Sequence, residues 1–150
     1  EVNADPEFGP HEESQDTPMP LASIRVLFVE DAEETSAALS LLLSRAGAEV
    51  TSVSNAFDAL AAFQKDRPDI ILSDIGLPEM DGYAMIRRVR SLEGSSNQPP
   101  VPAVALTAFA RDVDKFAAID SGFDDYLIKP VSTERLIQTL SKLIAVAKSQ

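Results

Sequence analysis

Five short apolar runs, each followed by apolar residues at helical spacing, limit what this chain can become. Ile24 to Val29 is the first run, and Leu39, Leu42, Leu43 and Ala46 follow at i, i+3, i+4 and i+7. Val50 to Val53 is a weaker run with polar Thr51 and Ser52 inside it, which predicts an edge strand; Ala56, Ala59, Leu60 and Phe63 repeat the helical spacing. Ile70-Ile71-Leu72-Ser73 is followed by Met85, Ile86 and Val89, and Val101 to Leu106 by Val113, Phe116 and Ala117. Tyr126-Leu127-Ile128 precedes a helix predicted to start near Ser132 or Thr133 and to carry Leu136, Ile137, Leu140, Leu143 and Ile144. Punctuation agrees with the alternation: Gly47 and Gly122 stand where helices should end, Pro68 closes the second helix, and Gly94 to Pro100 is a polar loop. Strands alternating with helices predict an α/β fold, a doubly wound parallel sheet with right-handed crossovers and helices on both faces.

Such a sheet gathers the C-terminal ends of its strands along one edge, where ligands bind in open α/β proteins. Here those ends carry Glu30-Asp31, Asp74, Thr107 and Lys129. Singly, each has an ordinary explanation as a helix cap, a turn residue or a solvated lysine. Together they place three carboxylates close to one another, which is unfavourable without a cation. Carboxylate oxygens plus a backbone carbonyl are hard ligands suited to Mg2+, which retains waters and accepts a phosphate oxygen as partner. A carboxylate beside that ion is a competent nucleophile toward phosphorus. Lys129 supplies a positive point charge for phosphoryl oxygens and Thr107 a hydroxyl donor. The residue types therefore point to reversible phosphorylation of Asp74.

Composition excludes several other classes. The chain of 150 residues is long enough for one domain, and its hydrophobic fraction of 45% is ordinary for a globular protein. No cysteine is present, which excludes disulfides, thiolate catalysis and zinc ribbons. A net charge of −11 argues against a nucleic-acid surface. No apolar run approaches membrane-spanning length, so no membrane contact is expected, and the expected location is the cytoplasm or the cytoplasmic side of a membrane. Residues 1–22 are acidic, rich in proline and without Lys or Arg, and read as a disordered leader or linker, with the folded domain at 23–150. The only histidine, His11, lies in that leader, which leaves the fold without histidine-dependent chemistry.

The stretch from Ile24 to Ala147 resembles the receiver domain of two-component response regulators. The resemblance rests on VEDAEE for the acidic pair, SDIGLPEMDG around the acceptor, ALTAFA for the hydroxyl residue and DDYLIKP for the lysine. It implies the flavodoxin-like strand order 2-1-3-4-5 of the chemotaxis member of that family. It also implies phosphorylation of Asp74 by a histidine kinase or histidine phosphotransfer domain, and a downstream protein partner that reads the result. Mg2+ would be held by Asp31, Asp74 and the carbonyl of Gly76, with Glu30 assisting through water. Thr107 and Tyr126 match the switch pair, and the Lys129–Pro130 peptide is expected to be cis. Gly76 departs from the usual pattern, because it offers no side chain over the site. The domain is expected to be regulatory, its only chemistry being self-phosphorylation and autodephosphorylation. Two other readings stand beside this one. A haloacid-dehalogenase-type phosphohydrolase wants a second Asp where Gly76 stands, and a non-phosphorylated docking scaffold would not need the complete set of site residues. No DNA-binding output domain fits after Gln150, and the leader favours a piece of a longer protein, such as a hybrid sensor kinase.

Overall fold

In a computed structural model that describes residues 19–108 and 111–148, the five apolar runs pair as a single parallel sheet. The strands are β1 (Arg25–Val29), β2 (Glu49–Val53), β3 (Ile70–Asp74), β4 (Ala103–Thr107) and β5 (Asp125–Ile128), in the order β2-β1-β3-β4-β5. Between and after them run α1 (Glu33–Arg45), α2 (Ala56–Lys65), α3 (Gly82–Ser96), α4 (Asp112–Ser121) and α5 (Thr133–Lys148). β3 and β4 are buried at every position, as expected for strands covered on both faces. β2 is the partly exposed edge that its polar residues predict.

Side-chain alternation splits the core in two. Val26, Phe28, Ile70, Leu72, Val104, Leu106 and Leu127 point to one face, under Leu39 and Leu43 of α1 and Leu136, Leu140 and Ile144 of α5. Leu27, Val29, Ile71, Ala103 and Ala105 point to the other, under Ala59, Leu60 and Phe63 of α2 and Met85, Ile86 and Val89 of α3. Burying a large aliphatic side chain contributes about 1.5–3 kcal/mol each, so these two layers supply the main driving force of the fold. Helix ends follow the sequence signals: Asn55 caps α2 through Asp58 N–H and Asp81 caps α3 through Ala84 N–H, both by their side-chain oxygens. Ser132 Oγ accepts from Arg135 N–H at the start of α5.

Four expectations need correction. Gly94, Ser95 and Ser96, read as the start of a loop, form the last turn of α3, which ends at Asn97 in the left-handed region. The fourth strand begins at Ala103 rather than Val101, because the Val101 N–H is taken by the buried Glu93 carboxylate at 2.6 Å and its carbonyl by Arg90 at 2.7 Å. Val113 and Phe116, which mark the fourth helix in the sequence, point outward at 63% and 74% exposure; α4 packs instead through Ala118 and Ser121. Leu21, assigned to the leader, is fully buried in the α1–α5 layer, and its N–H donates to the Ala46 carbonyl at 2.9 Å. The packed domain therefore includes residues before position 23. The rest of the leader up to residue 18, with His11, lies outside the described residues, as do Phe109 and Ala110 of the ALTAFA motif.

Candidate functional site

β1 and β3 are adjacent strands whose connections leave in opposite directions, so the crevice beyond their C-terminal ends is the topological switch point of the sheet. Asp74 is the last residue of β3, Glu30 and Asp31 follow β1, Thr107 ends β4 and Lys129 follows β5. Among the described residues, Glu30, Asp31 and Asp74 offer carboxylate oxygens that all lie within 4.8 Å of one another. The Lys129 Nζ sits between two of them, 3.0 Å from Glu30 Oε1 and 3.2 Å from Asp74 Oδ2. Three segments distant in sequence are thus brought to one point by the pairing of β1, β3, β4 and β5.

The surroundings differ for each carboxylate. Glu30 is buried, and its second oxygen accepts from the Ala32 N–H at 3.1 Å. Asp31 is exposed, and Asp74 lies between these extremes, with its Oδ1 accepting a long 3.3 Å bond from Gly76 N–H. Helix α1 is capped at Ala32 without any side-chain bond, so the acidic pair is not employed as a helix cap. Burial pushes the Glu30 carboxyl above its usual range, Asp74 adds to the rise, and the bonds from Lys129 and Ala32 oppose it. For Lys129, burial pulls downward, but the hydrogen bond to Glu30 and the charge of Asp74 outweigh it and the ammonium is held above its ordinary value. One ammonium faces three carboxylates, which leaves uncompensated negative charge at a partly open crevice. A compact divalent cation with oxygen preference satisfies that donor set.

The loop after β3 is folded back on itself to keep the crevice open. Gly82 N–H donates to the Ile75 carbonyl at 2.8 Å, and a Cβ at position 82 would stand 2.6 Å from the Asp74 carbonyl oxygen. Only glycine fits that approach. Leu77 and Met80 are buried beneath the loop, and Gly76 is exposed with open space where a Cβ would be. Thr107 is buried at the end of β4, and its carbonyl accepts from Lys129 N–H at 2.8 Å. Tyr126 is half-buried, paired in register with Ala105, and its ring centroid lies 5.3 Å from Lys115 Nζ of α4. The Lys129–Pro130 peptide is cis.

Sequence reading missed two features. Gly82 closes the quoted SDIGLPEMDG stretch, but its need for glycine appears only when the backbone of Asp74 is placed against it. A polar network of Arg90, Glu93 and Asp124 at the opposite end of the sheet was also missed. Its trace was present: Glu93 continues the Met85, Val89 spacing on the buried stripe of α3, where a carboxylate requires a partner.

A parallel five-stranded sheet in the order 2-1-3-4-5, with an acidic crevice at its switch point, defines a doubly wound α/β class. Residues 26–141 match the family model of the response regulator receiver domain, and the chain belongs to that family, the receiver domains of two-component systems. An uncharacterized 14.6 kDa protein of Leptolyngbya boryana is 42% identical over 81% of this chain and 91% of its own length. The sensor protein GacS of Pseudomonas syringae pv. syringae is 37% identical over 87% of this chain, which spans only 14% of that protein. Among solved structures, the receiver domain of a sensor histidine kinase of Pseudomonas aeruginosa, with a magnesium ion coordinated in its active site cleft, is similar with a TM-score of 0.74 and 33% identity, covering 83% of this chain and 99% of that one. A chain in the co-crystal structure of the Saccharomyces cerevisiae histidine phosphotransfer signaling protein Ypd1 and the receiver domain of its downstream response regulator Ssk1 is similar with a TM-score of 0.80 and 28% identity, covering 84% and 92%. No helix among the described residues is long and apolar enough to cross a membrane.

Proposed function

We propose that Asp74 is the phosphoacceptor of this receiver domain and that transfer to it requires Mg2+. The observation that carries the reading is the position of Asp74 between the Lys129 ammonium, 3.2 Å from its Oδ2, and the carboxylates of Glu30 and Asp31. A phosphohistidine on a kinase or a histidine phosphotransfer partner is the donor: its N–P bond breaks as an Asp74 carboxylate oxygen bonds to phosphorus, and the imidazole leaves. Asp31, Asp74 and the Gly76 carbonyl would hold the ion, with Glu30 behind them, and the ion would offset charge on the phosphoryl oxygens during transfer. Lys129 then exchanges part of its ion pair for a phosphoryl oxygen, and Thr107 donates its hydroxyl to another. Tyr126 responds to the movement of Thr107 as the second member of the switch pair.

The similarity to a receiver co-crystallised with a phosphotransfer protein and to receivers of sensor kinases supports such a donor, and with it a cytoplasmic location and a downstream protein partner. The domain acts as a regulatory acceptor whose own catalysis is limited to taking up and losing its phosphoryl group. A general phosphohydrolase is disfavoured because position 76 carries no second carboxylate. Incubation with acetyl phosphate, followed by intact mass, tests the proposal. One phosphoryl group is expected in Mg2+, none in EDTA and none on Asp74→Ala. Modification of the Asp74→Ala chain, or full modification in EDTA, overturns the assignment.

A further inference from the structure

The middle strand of the sheet carries one hydroxyl. Ser73 lies on β3, the strand buried at every position, and is itself 0% exposed. Its register neighbours are Val29 of β1 and Ala105 of β4, both in the apolar layer under α2 and α3. Alternation along the strand puts Ile71 and Ser73 on that same face. A hydroxyl in such a layer is costly unless it is bonded, and an alanine or valine like its neighbours would fill the place without that cost. The bond it makes points to the site: Ser73 Oγ donates to the carbonyl oxygen of Asp74 at 2.9 Å.

That oxygen belongs to the peptide unit on which the chain leaves the sheet. It is the same atom that Gly82 approaches so closely that a Cβ would stand 2.6 Å from it. The Asp74–Ile75 peptide is thus held by a hydroxyl bond and by the close contact of a glycine. Its nitrogen donates to the Leu106 carbonyl at 3.1 Å. One residue on, the Ile75 carbonyl accepts from Leu77 N–H at 2.9 Å and from Gly82 N–H at 2.8 Å, while Gly76 N–H reaches back to Asp74 Oδ1 at 3.3 Å. A peptide unit rotates as a plane. Releasing its oxygen therefore alters ψ of Asp74 and φ of Ile75 together, and swings the Gly76 carbonyl relative to the Asp74 carboxylate. A misplacement of about 1 Å in a positioned group can cost about 10²-fold in rate.

We propose that Ser73 is a positioning residue for the acceptor: its hydroxyl fixes the Asp74–Ile75 peptide, and with it the spacing of the Asp74 carboxylate and the Gly76 carbonyl that Mg2+ requires. The proposal rests on the phosphoacceptor reading of Asp74, and the two fail separately. Mg2+ titrations followed by the Gly76 amide signal, and residue-resolved amide hydrogen exchange in EDTA, are compared for wild type, Ser73→Ala and Ser73→Thr. In Ser73→Ala the Mg2+ affinity is expected to fall about three- to tenfold, the scale of one neutral hydrogen bond. Exchange should quicken at residues 75–82 and stay unchanged in β1 and β4. Ser73→Thr, which keeps the hydroxyl, should match wild type in both. A hydroxyl that only fills space would leave Mg2+ affinity untouched in Ser73→Ala, and one that only stabilises the fold would quicken exchange in every strand alike. Either result overturns the proposal, as does a loss in Ser73→Thr equal to that in Ser73→Ala. Should Ser73→Thr not fold, the affinity and exchange pattern of Ser73→Ala decide. Acetyl phosphate separates the two readings. A mass gain on wild type, with wild-type Mg2+ affinity in Ser73→Ala, removes only the role of Ser73; no mass gain on wild type removes the acceptor reading and the positioning role with it.

Discussion

Lys129 does two jobs in the unmodified domain: it compensates buried Glu30 and it stands beside Asp74. Its side chain is 27% exposed, so the pair is weaker than a fully desolvated one, and a hydrogen bond to a charged group contributes about 1.5–3 kcal/mol. We expect Lys129→Met to lower stability in EDTA by about 1–3 kcal/mol in urea unfolding, because Glu30 is left without its cation. Mg2+ should recover part of that loss; a variant as stable as wild type in EDTA would contradict the pairing. Glu30 gives a sign to the pH dependence. Burial holds its carboxyl above the ordinary value of 4.5, so the folded chain binds that proton more tightly than the unfolded chain. The corresponding stability is complete below that ordinary value and is lost as pH rises through the raised one. In EDTA, the stability difference between wild type and Glu30→Gln should shift against wild type from acid toward neutral pH; a shift in its favour would contradict the effect of burial on Glu30.

At the level of elements, apolar spacing says that a helix exists but not always which side it buries. α1 and α5 bury the stripes their sequences present, Leu39 and Leu43, and Leu136, Leu140 and Ile144. α4 does not: its largest apolar residues face water, and its buried residues are two small ones, Ala118 and Ser121. Close approach of a short helix to the layer above β4 and β5 rewards small residues, and periodicity weighted by side-chain size misreads that. We therefore expect Phe116→Ser to change stability by only about 0.5 kcal/mol, as for surface positions away from packed features. Leu21→Ala should cost about 2–5 kcal/mol, as for buried leucines, although it precedes every strand and helix. Urea midpoints for the two variants check both; equal midpoints would contradict the burial pattern.

For the molecule as a whole, the acidic crevice couples metal binding to folding. A ligand that binds only the folded chain adds about 2.7 kcal/mol when present at 100 times its dissociation constant. We expect the thermal midpoint of the wild type to rise with Mg2+, and that of a chain carrying Asp31→Asn and Asp74→Asn together to rise much less. Matching rises in the two chains would mean the ion binds elsewhere.

Sequence alone determined the alternation of strands and helices and the residues Glu30, Asp31, Asp74, Thr107 and Lys129 at the C-terminal ends of the strands, because burial on two faces and the loss of apolar character at strand ends are local properties of the chain. Register decided the rest. Only when β3 lies between β1 and β4 does Lys129, 99 residues from Glu30, come to 3.0 Å from it, and only then does Gly82 press against the Asp74 carbonyl. The burial of Leu21, the outward turn of Phe116 and the clamp from Arg90 to Gly122 and Asp124 are likewise tertiary, because each depends on how close two layers approach, and that distance is set by side chains remote in sequence.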